Sequence, residues 1–582
     1  MSYYPERPVI VQGDHTVLLE VDNDFYAEAR DALVRFAELE KSPEHIHTYR
    51  ITPLSLWNAA AAGATPDEIV DALGRFSKYE LPQNIVADVR DYCSRYGRLK
   101  LRRDDAGRLV LESDDRALLV ELGRNKRIQP FLLNAIDERT YLVRGELRGQ
   151  LKQALVQVGY PAEDLAGYVD GASFRLAFRE LTAHEQPFGL RDYQQEAVDA
   201  FWAGGGPHGG SGVVVLPCGA GKTVVGMGAM VRAQTSTLIV CYGTTAAHQW
   251  IDELLDKTDI SPDLIGEYTG DQKDVRPITV ATYQILTYHP AKRQRSVDLS
   301  LEEFPHLALF TSQDWGLIVY DEVHLLPAPV FRITAEIQAR RRLGLTATLV
   351  REDGREGDVF SLIGPKKYDV PWKSLEQQGW IATADCWEIR VALPSEERMA
   401  YALAEEMNER HRLAAVNPAK EDVLRRLVAM HRDDHVLVIG QYLDQLERVA
   451  QLLGAPLITG KTPNRERERL YAAFRTGEVP LLVISKVGNF AIDLPSANVA
   501  IQLSGTFGSR QEEAQRLGRV LRPKADGGRA HFYSVVTRDT SDQSFAANRE
   551  LFLTEQGYRY TILDATVLLS RDPSESLPGW AP

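Results

Sequence analysis

The chain has 582 residues, more than one hydrophobic core normally serves, so three or four domains are expected. Apolar residues make up 44%, and no stretch approaches the roughly eighteen uninterrupted apolar positions of a membrane-crossing helix. A formal charge of −14 excludes a surface that coats nucleic acid at large, while leaving room for a local basic groove.

The first residues, Met1-Ser2-Tyr3-Tyr4-Pro5-Glu6-Arg7-Pro8, lack the charged-then-apolar shape of a signal peptide, so a cytoplasmic protein is expected. Cys93, Cys218, Cys241 and Cys386 lie far apart, with no histidine at ligand spacing, and point to neither zinc nor an iron–sulfur cluster. His45 and His47 lack a third ligand nearby and read as hydrogen-bonding residues.

Along the chain, Phe25 to Leu39, Ser55 to Ala62 and Pro66 to Phe76 show helical apolar spacing, which predicts a mostly helical domain over residues 1–98. Alternation in Leu99-Lys100-Leu101-Arg102-Arg103 and Leu109-Val110-Leu111, around Asp104-Asp105-Ala106-Gly107, predicts a hairpin that opens a small mixed α/β module, 99–185. Arg102-Arg103 and Lys126-Arg127 in that module read as solvated surface charge. Thr182 to Gly189 reads as a linker. Beyond it, short apolar strands alternate with helices: Gly212–Leu216, Leu238–Cys241, Ile278–Ala281, Leu317–Tyr320 and Leu343–Leu345 in residues 186–384. The alternation restarts in 385–582 with Val436–Ile439, Leu481–Ile484 and Val499–Leu503. This is the pattern of two parallel-sheet α/β lobes in tandem. Arg340-Arg341-Arg342, before Leu343, fits either a helix C-terminus or a nucleic-acid contact.

Three motifs carry chemistry. Leu216-Pro217-Cys218-Gly219-Ala220-Gly221-Lys222-Thr223 joins a buried strand to a helix. Backbone N–H groups of the loop that Pro217 opens, from Cys218 through Gly219 and Ala220 to Gly221, would wrap phosphates, Lys222 would reach the β/γ oxygens, and the Thr223 hydroxyl would ligate Mg²⁺. Leu216 stands where the full pattern has its first glycine, so alone the loop could be an ordinary glycine turn. Asp321-Glu322-Val323-His324 ends an apolar strand in the same lobe; there Asp321 can hold Mg²⁺ and Glu322 can orient and deprotonate an attacking water. Gln515-Arg516-Leu517-Gly518-Arg519-Val520-Leu521-Arg522 lies in the second lobe with Arg519 and Arg522 on one helical face. Those guanidinium groups would neutralise charge growing on a γ-phosphate, which makes hydrolysis depend on lobe closure.

With these motifs the chain resembles superfamily 2 helicases and, more narrowly, the XPB family, whose eukaryotic members belong to the transcription and repair factor TFIIH. The resemblance rests on the phosphate loop, the Asp-Glu-Val-His strand end, Leu345-Thr346-Ala347-Thr348-Leu349-Val350-Arg351-Glu352-Asp353, Ile363-Gly364-Pro365-Lys366, Ser485-Lys486-Val487-Gly488 leading to Asp493-Leu494-Pro495, Gln515 to Arg522, and Phe552 to Tyr558. It continues more loosely through His47 to Trp57 and Tyr96 to Leu101, which are similar to the family's N-terminal and damage-recognition modules. The long acidic insertion that eukaryotic members carry before the motor is missing, so their TFIIH contacts are not implied.

The resemblance implies two RecA-like lobes and a DNA helicase or translocase driven by Mg·ATP, moving 3′ to 5′ in nucleotide excision repair, with a nuclease partner. It implies that Gln194, with Arg191, recognises adenine, although Asp192 replaces the usual proline, and that Asp493 approaches the ribose. Gln515 joins Arg519 and Arg522 as catalytic residues. Thr346 and Thr348 would link the ATP cleft to DNA. Thr244, Thr245, Thr282, Tyr283 and Ser485 would touch backbone phosphates, and the Arg351-Glu352-Asp353 triplet would take part in strand separation, although charge pattern alone fits a salt-bridged turn. Ser395 to Met430 corresponds to the family's thumb region. Two other readings stand beside this one: a different superfamily 2 motor, such as an RNA helicase or restriction-type translocase, and an ATP-gated DNA clamp with little turnover.

Overall fold

The structure is a computed structural model that describes residues 3–41, 45–206, 209–217, 219–289, 304–337, 340–347, 356–370, 372–485, 497–505, 529–555, 558 and 560–571. Contacts divide the chain into two compact units. One comprises Met1–Glu38, Tyr49–Leu216 and Gly221–Val370; the other comprises Leu39–Thr48, Pro217–Ala220 and Pro371–Pro582.

In the first unit, the helices Tyr26–Leu33, Pro53–Ala61, Pro66–Phe76 and Gln83–Arg95 follow an antiparallel strand pair, Val9–Val11 with Thr16–Glu20. Two Thr-Pro steps start the second and third helices. Thr52 and Thr65 each accept the N–H three residues on, with Ser55 and Glu68 answering back, while proline supplies the helical φ at the first position. The short strands escape apolar-spacing arguments because each has only three to five residues. Next comes a five-stranded sheet ordered Leu132–Asp137, Thr140–Val143, Leu109–Glu112, Leu99–Arg103, Ala162–Asp164. Its central hairpin pairs Leu101 with Leu111, and the turn is fixed by Asp104, whose Oδ1 accepts from the N–H groups of Ala106 (3.1 Å) and Arg108 (2.8 Å).

The seven-stranded sheet that follows is wholly parallel: Ile265–Tyr268, Ile278–Thr282, Thr237–Cys241, Leu317–Asp321, Arg341–Thr346, Ser211–Val215, Lys366–Asp369. Its inner strands are buried along their length except at Asp321, as a sheet covered by helices on both faces requires. The arginine run before Leu343 neither ends a helix nor faces solvent. The preceding helix, Ala328–Glu336, is already over, and Arg341 and Arg342 are the first residues of the strand. Arg342 is fully buried and donates to the carbonyl of Leu362 (2.7 Å) and the hydroxyl of Ser211 (3.1 Å). Arg341 reaches Asp170 (3.1 Å) and lies over the Trp202 ring. Burial with these partners, rather than a dipole or a phosphate, explains both.

The second unit holds another seven-stranded parallel sheet: Leu457–Ile458, Leu481–Ser485, Val436–Gly440, Val499–Gln502, Ala530–Thr537, Ala384–Val391, Tyr560–Asp564. Its core is the aliphatic face of these strands with Trp387, Tyr533 and Leu427. The two parallel sheets are the two α/β lobes expected from the alternating pattern.

Candidate active site

The site is built at the carboxyl ends of three neighbouring strands of the first unit, Leu317–Asp321, Arg341–Thr346 and Ser211–Val215. The last of these runs through Leu216, whose N–H bonds to the carbonyl of Thr346 (3.0 Å), into the candidate phosphate loop. Pro217 and Ala220 are buried, and the N–H of Ala220 closes a turn on the carbonyl of Pro217 (3.2 Å); Gly219 is half-buried, and Cys218 lies outside the described residues. Gly221 then opens the helix Lys222–Ala233 with φ +79°, a conformation that glycine adopts without strain. A Cβ at Gly221 would stand 2.5 Å from the Gln194 side-chain nitrogen, so the backbone of the loop passes directly beneath that amide. The amide is held in place: Gln194 is buried, and its Oε1 accepts from the N–H of Arg191 (3.0 Å). The Arg191 guanidinium donates to the Tyr193 hydroxyl (3.1 Å).

Lys222, the first residue of the helix, sends its ammonium to Glu322 Oε1 at 2.9 Å, their side chains 11% and 20% exposed. Thr223 follows, half-buried. Glu322 sits at φ +50°, left-handed for a residue with a side chain, a strain that clusters at functional sites. Asp321 is braced from both oxygens: Oδ1 accepts the N–H of Glu322 (3.0 Å) and Oδ2 the indole N–H of Trp250 (3.0 Å). Trp250 reaches it because Gly226 in the phosphate-loop helix leaves space; a Cβ there would meet the indole at 2.5 Å.

Burial, and after it the Glu322 carboxylate, raises the Asp321 carboxyl to about 6 against the pull of Lys222. Burial also works to raise Glu322, but the Lys222 ammonium, and then His324, outweigh it and hold that carboxyl below its usual range. His324 Nδ1 shares a hydrogen bond with Thr346 Oγ1 at 2.7 Å and stands 3.4 Å from Glu322 Oε2. A lysine, two carboxylates and a hydroxyl thus converge on one strand edge, the donor set that a triphosphate and a hard cation require.

The nucleic-acid candidates fall differently. Thr244 and Thr245 open the helix Thr244–Lys257, the first half-buried and the second exposed. Thr282 is buried and its hydroxyl caps the turn Tyr283–Leu286 by accepting the N–H of Ile285. Tyr283 does not present its hydroxyl to a strand. It is buried and donates to the carbonyl of Asp321 (3.0 Å), because the aromatic ring packs into the sheet's core. Thr346 is buried against His324. Ser485, in the second unit, ends its strand with a buried hydroxyl that has no hydrogen-bond partner among the described residues. Thr348, Arg351, Glu352, Asp353, Asp493, Gln515, Arg519 and Arg522 lie outside the described residues. Trp250 and His324 were missed as site residues by sequence reasoning. His324 stands inside the Asp-Glu-Val-His motif and could have been found there, whereas nothing in the sequence marks Trp250, which meets Asp321 from 71 positions away.

Comparison with known families places residues 375–576 on the ERCC3/RAD25/XPB C-terminal helicase profile, 187–351 on the res subunit of type III restriction enzymes, and 9–137 on a helicase conserved C-terminal domain. Among characterised relatives, the DNA 3'-5' helicase XPB of Mycobacterium tuberculosis is 56% identical over 564 residues, 97% of this chain and 99% of that one. The protein of the same name from Kineococcus radiotolerans is 56% identical over 560 residues, 96% and 97% of the two chains. The general transcription and DNA repair factor IIH helicase/translocase subunit XPB of Antonospora locustae is 32% identical over 578 residues, 97% of this chain and 82% of that one.

Proposed function

The chain belongs to the XPB family of DNA 3′ to 5′ helicases, and from that premise we propose that it hydrolyses ATP to translocate on and open duplex DNA, 3′ to 5′, in nucleotide excision repair. The observation that carries this reading is the Lys222–Glu322–Asp321 constellation at the edge of the first parallel sheet. Four parts share the work: a mostly helical domain, 1–98; a damage-recognition-like module, 99–185; an ATP-binding lobe, 186–384; and a second lobe, 385–582.

The Lys222–Glu322 pair describes a resting state. A triphosphate competes for the ammonium, and as Lys222 turns to its β/γ oxygens, Glu322 is released to accept a proton from water. Gln194 and Arg191 read the adenine edge, Asp493 the ribose, and the N–H groups of Cys218, Gly219, Ala220 and Gly221, in the loop that Pro217 opens, hold the phosphates. Asp321 and Thr223 fit Mg²⁺: both offer hard oxygens, and two hydrogen bonds orient the carboxylate while burial favours its neutralisation. When bound, the ion neutralises charge on the β- and γ-phosphate oxygens. Gln515, Arg519 and Arg522 complete the charge balance from the second lobe, so that closure and hydrolysis go together. Thr346 and Thr348 pass the change to the DNA face, where Thr244, Thr245, Thr282 and Ser485 position the backbone without reading sequence. Arg351, Glu352 and Asp353 act at the point of strand separation. The protein works in the cytoplasm at the nucleoid, alongside a nuclease.

The test is ATP turnover without nucleic acid and with duplex DNA, single-stranded DNA or RNA, run beside displacement of a labelled strand. Stimulation by DNA, with displacement of the strand paired to one that carries a 3′ overhang, is expected. Stimulation by RNA alone would select another superfamily 2 motor. Unaltered repair in cells carrying Lys222→Ala would select an ATP-gated clamp.

A further inference from the structure

Within the second unit, the strand Ala384–Val391 leads into a helical hairpin, Ser395–Leu403 and Met407–Ala415. The two helices pack on each other, and the second rests on the helix Ser541–Glu555 and the strand Ala530–Thr537. The hairpin is anchored by Tyr401, whose hydroxyl accepts the N–H of Ser541 (2.9 Å) and whose ring lies under the Arg410 guanidinium at 5.1 Å.

The outer residues have no such anchor. Met399, Leu403 and Met407 are 69%, 74% and 69% exposed, unusual for large apolar side chains. Met399 and Leu403 stand four residues apart on one helical face, and Met407 begins the next helix. Around them lie Glu396, Glu397, Glu405, Glu406 and Glu409, none of which has an ion-pair partner among the described residues. The nearby cations are occupied elsewhere: Arg398 on the carbonyl of Leu393 (3.2 Å), Arg410 on Tyr401, and Arg412 on Asp444 (2.7 Å). The hairpin therefore presents an apolar track inside a rim that stays net acidic, five glutamates against Arg398 and Arg410, with Arg412 neutralised by Asp444.

That combination selects its occupant. Phosphates of DNA and anionic lipid headgroups are disfavoured by this net-acidic rim, and a second copy of a chain of charge −14 brings the same acidic hairpin. A helix with an apolar stripe flanked by Lys and Arg satisfies both features, and exposed methionines adapt readily to such a stripe. We propose that the hairpin Ser395–Ala415 is a docking site for a basic amphipathic helix of a partner protein, with Met399, Leu403 and Met407 receiving its apolar face and the five glutamates its cations.

The probe is a fluorescein-labelled peptide of about eighteen residues, leucine and lysine placed so that one helical face is apolar, titrated by anisotropy against the full chain. Saturable binding is expected, weakened at least about tenfold by Leu403→Asp with Met407→Asp and by Glu405→Lys with Glu406→Lys and Glu409→Lys. The milder Met399→Ala, Leu403→Ala, Met407→Ala triple variant gives the same direction if the aspartates disturb folding. Peptides with leucine and glutamate, or with the same leucines and lysines scrambled off one face, should bind at least about tenfold more weakly. Duplex affinity and DNA-stimulated ATP turnover should stay within about twofold of wild type. The proposal is overturned if neither variant set changes peptide affinity, if the scrambled peptide binds equally well, or if the variants lose duplex affinity instead, which would make the hairpin a grip on DNA.

Discussion

Replacing Lys222 by alanine removes the ammonium that stands 2.9 Å from Glu322 and leaves two adjacent, half-buried carboxylates without it. At the observed 2.9 Å, and with an effective dielectric of about 20, the ammonium–carboxylate attraction is about 6 kcal/mol. Desolvation and the residual exposure of both side chains offset much of it, so a net loss of about 2–4 kcal/mol is expected at neutral pH, or about 3–6 °C in the melting of the first unit. The pH dependence separates this from a packing defect. Glu322 is held below its unfolded value by Lys222, so the pair contributes stability above that value and loses it as pH falls through the folded one. In the variant, burial raises both carboxyls, and their mutual repulsion is a cost present at high pH that vanishes as a proton takes the place of the ammonium. The deficit relative to wild type should therefore be largest near about pH 8 and shrink towards about pH 5. Differential scanning fluorimetry of both proteins without nucleotide across that range is the assay. A deficit that stays constant with pH, or grows in acid, would refute the electrostatic account.

Glu322→Gln should retain ATP binding while phosphate release falls at least about 10²-fold, and turnover within about threefold of wild type would remove Glu322 from the role of base. Gly221→Ala forces an alanine to φ +79° and a methyl against the Gln194 amide, 2.5 Å away, so KM for ATP should rise about tenfold; an unchanged KM would mean the loop relaxes freely. In the second unit, Lys420 and Asp542, each 1% exposed, are paired at 2.7 Å, and Lys420→Met should cost about 3–5 kcal/mol in thermal unfolding by leaving a buried carboxylate without this cation, its charge met only in part by bonds such as that from the Thr537 N–H. Adding Asp542→Asn should restore at least about 1 kcal/mol of that loss, and strictly additive effects would show the pair to be uncoupled.

The sequence made the candidate nucleotide site legible because its chemistry sits at strand ends. A buried apolar run that stops at Gly-Lys-Thr, and another that stops at Asp-Glu, must deliver Lys222 and Glu322 to the same edge if both belong to one parallel sheet, and they meet across 100 positions. What supports the acids was not legible. Trp250 and Tyr283 read as ordinary core aromatics, and only the folded sheet turns the indole N–H and the phenol towards Asp321. Charge hid the start of a central strand, since Arg341 and Arg342 look like surface until their partners Asp170, Leu362 and Ser211 are in place. Mixed composition hid Ala384–Val391, where Asp385, Glu388 and Arg390 interrupt the apolar alternation. For Asp493, Gln515, Arg519, Arg522 and the Arg351-Glu352-Asp353 triplet the motif pattern stands on its own, because these residues fall outside the described ones.

The strand order of the first parallel sheet also dictates when its phosphate loop can exist. The strand Ser211–Val215 is made first, yet its hydrogen-bonding neighbours are Arg341–Thr346 on one side and Lys366–Asp369 on the other, the last two strands to leave the ribosome. Until more than a hundred further residues have been synthesised, that strand has both edges bare and nothing to hold its loop, a situation that favours misassembly over function. A nascent or truncated product ending before Thr346 should consequently be unable to retain nucleotide, however intact its glycines and lysine, and would depend on chaperones to remain dispersed.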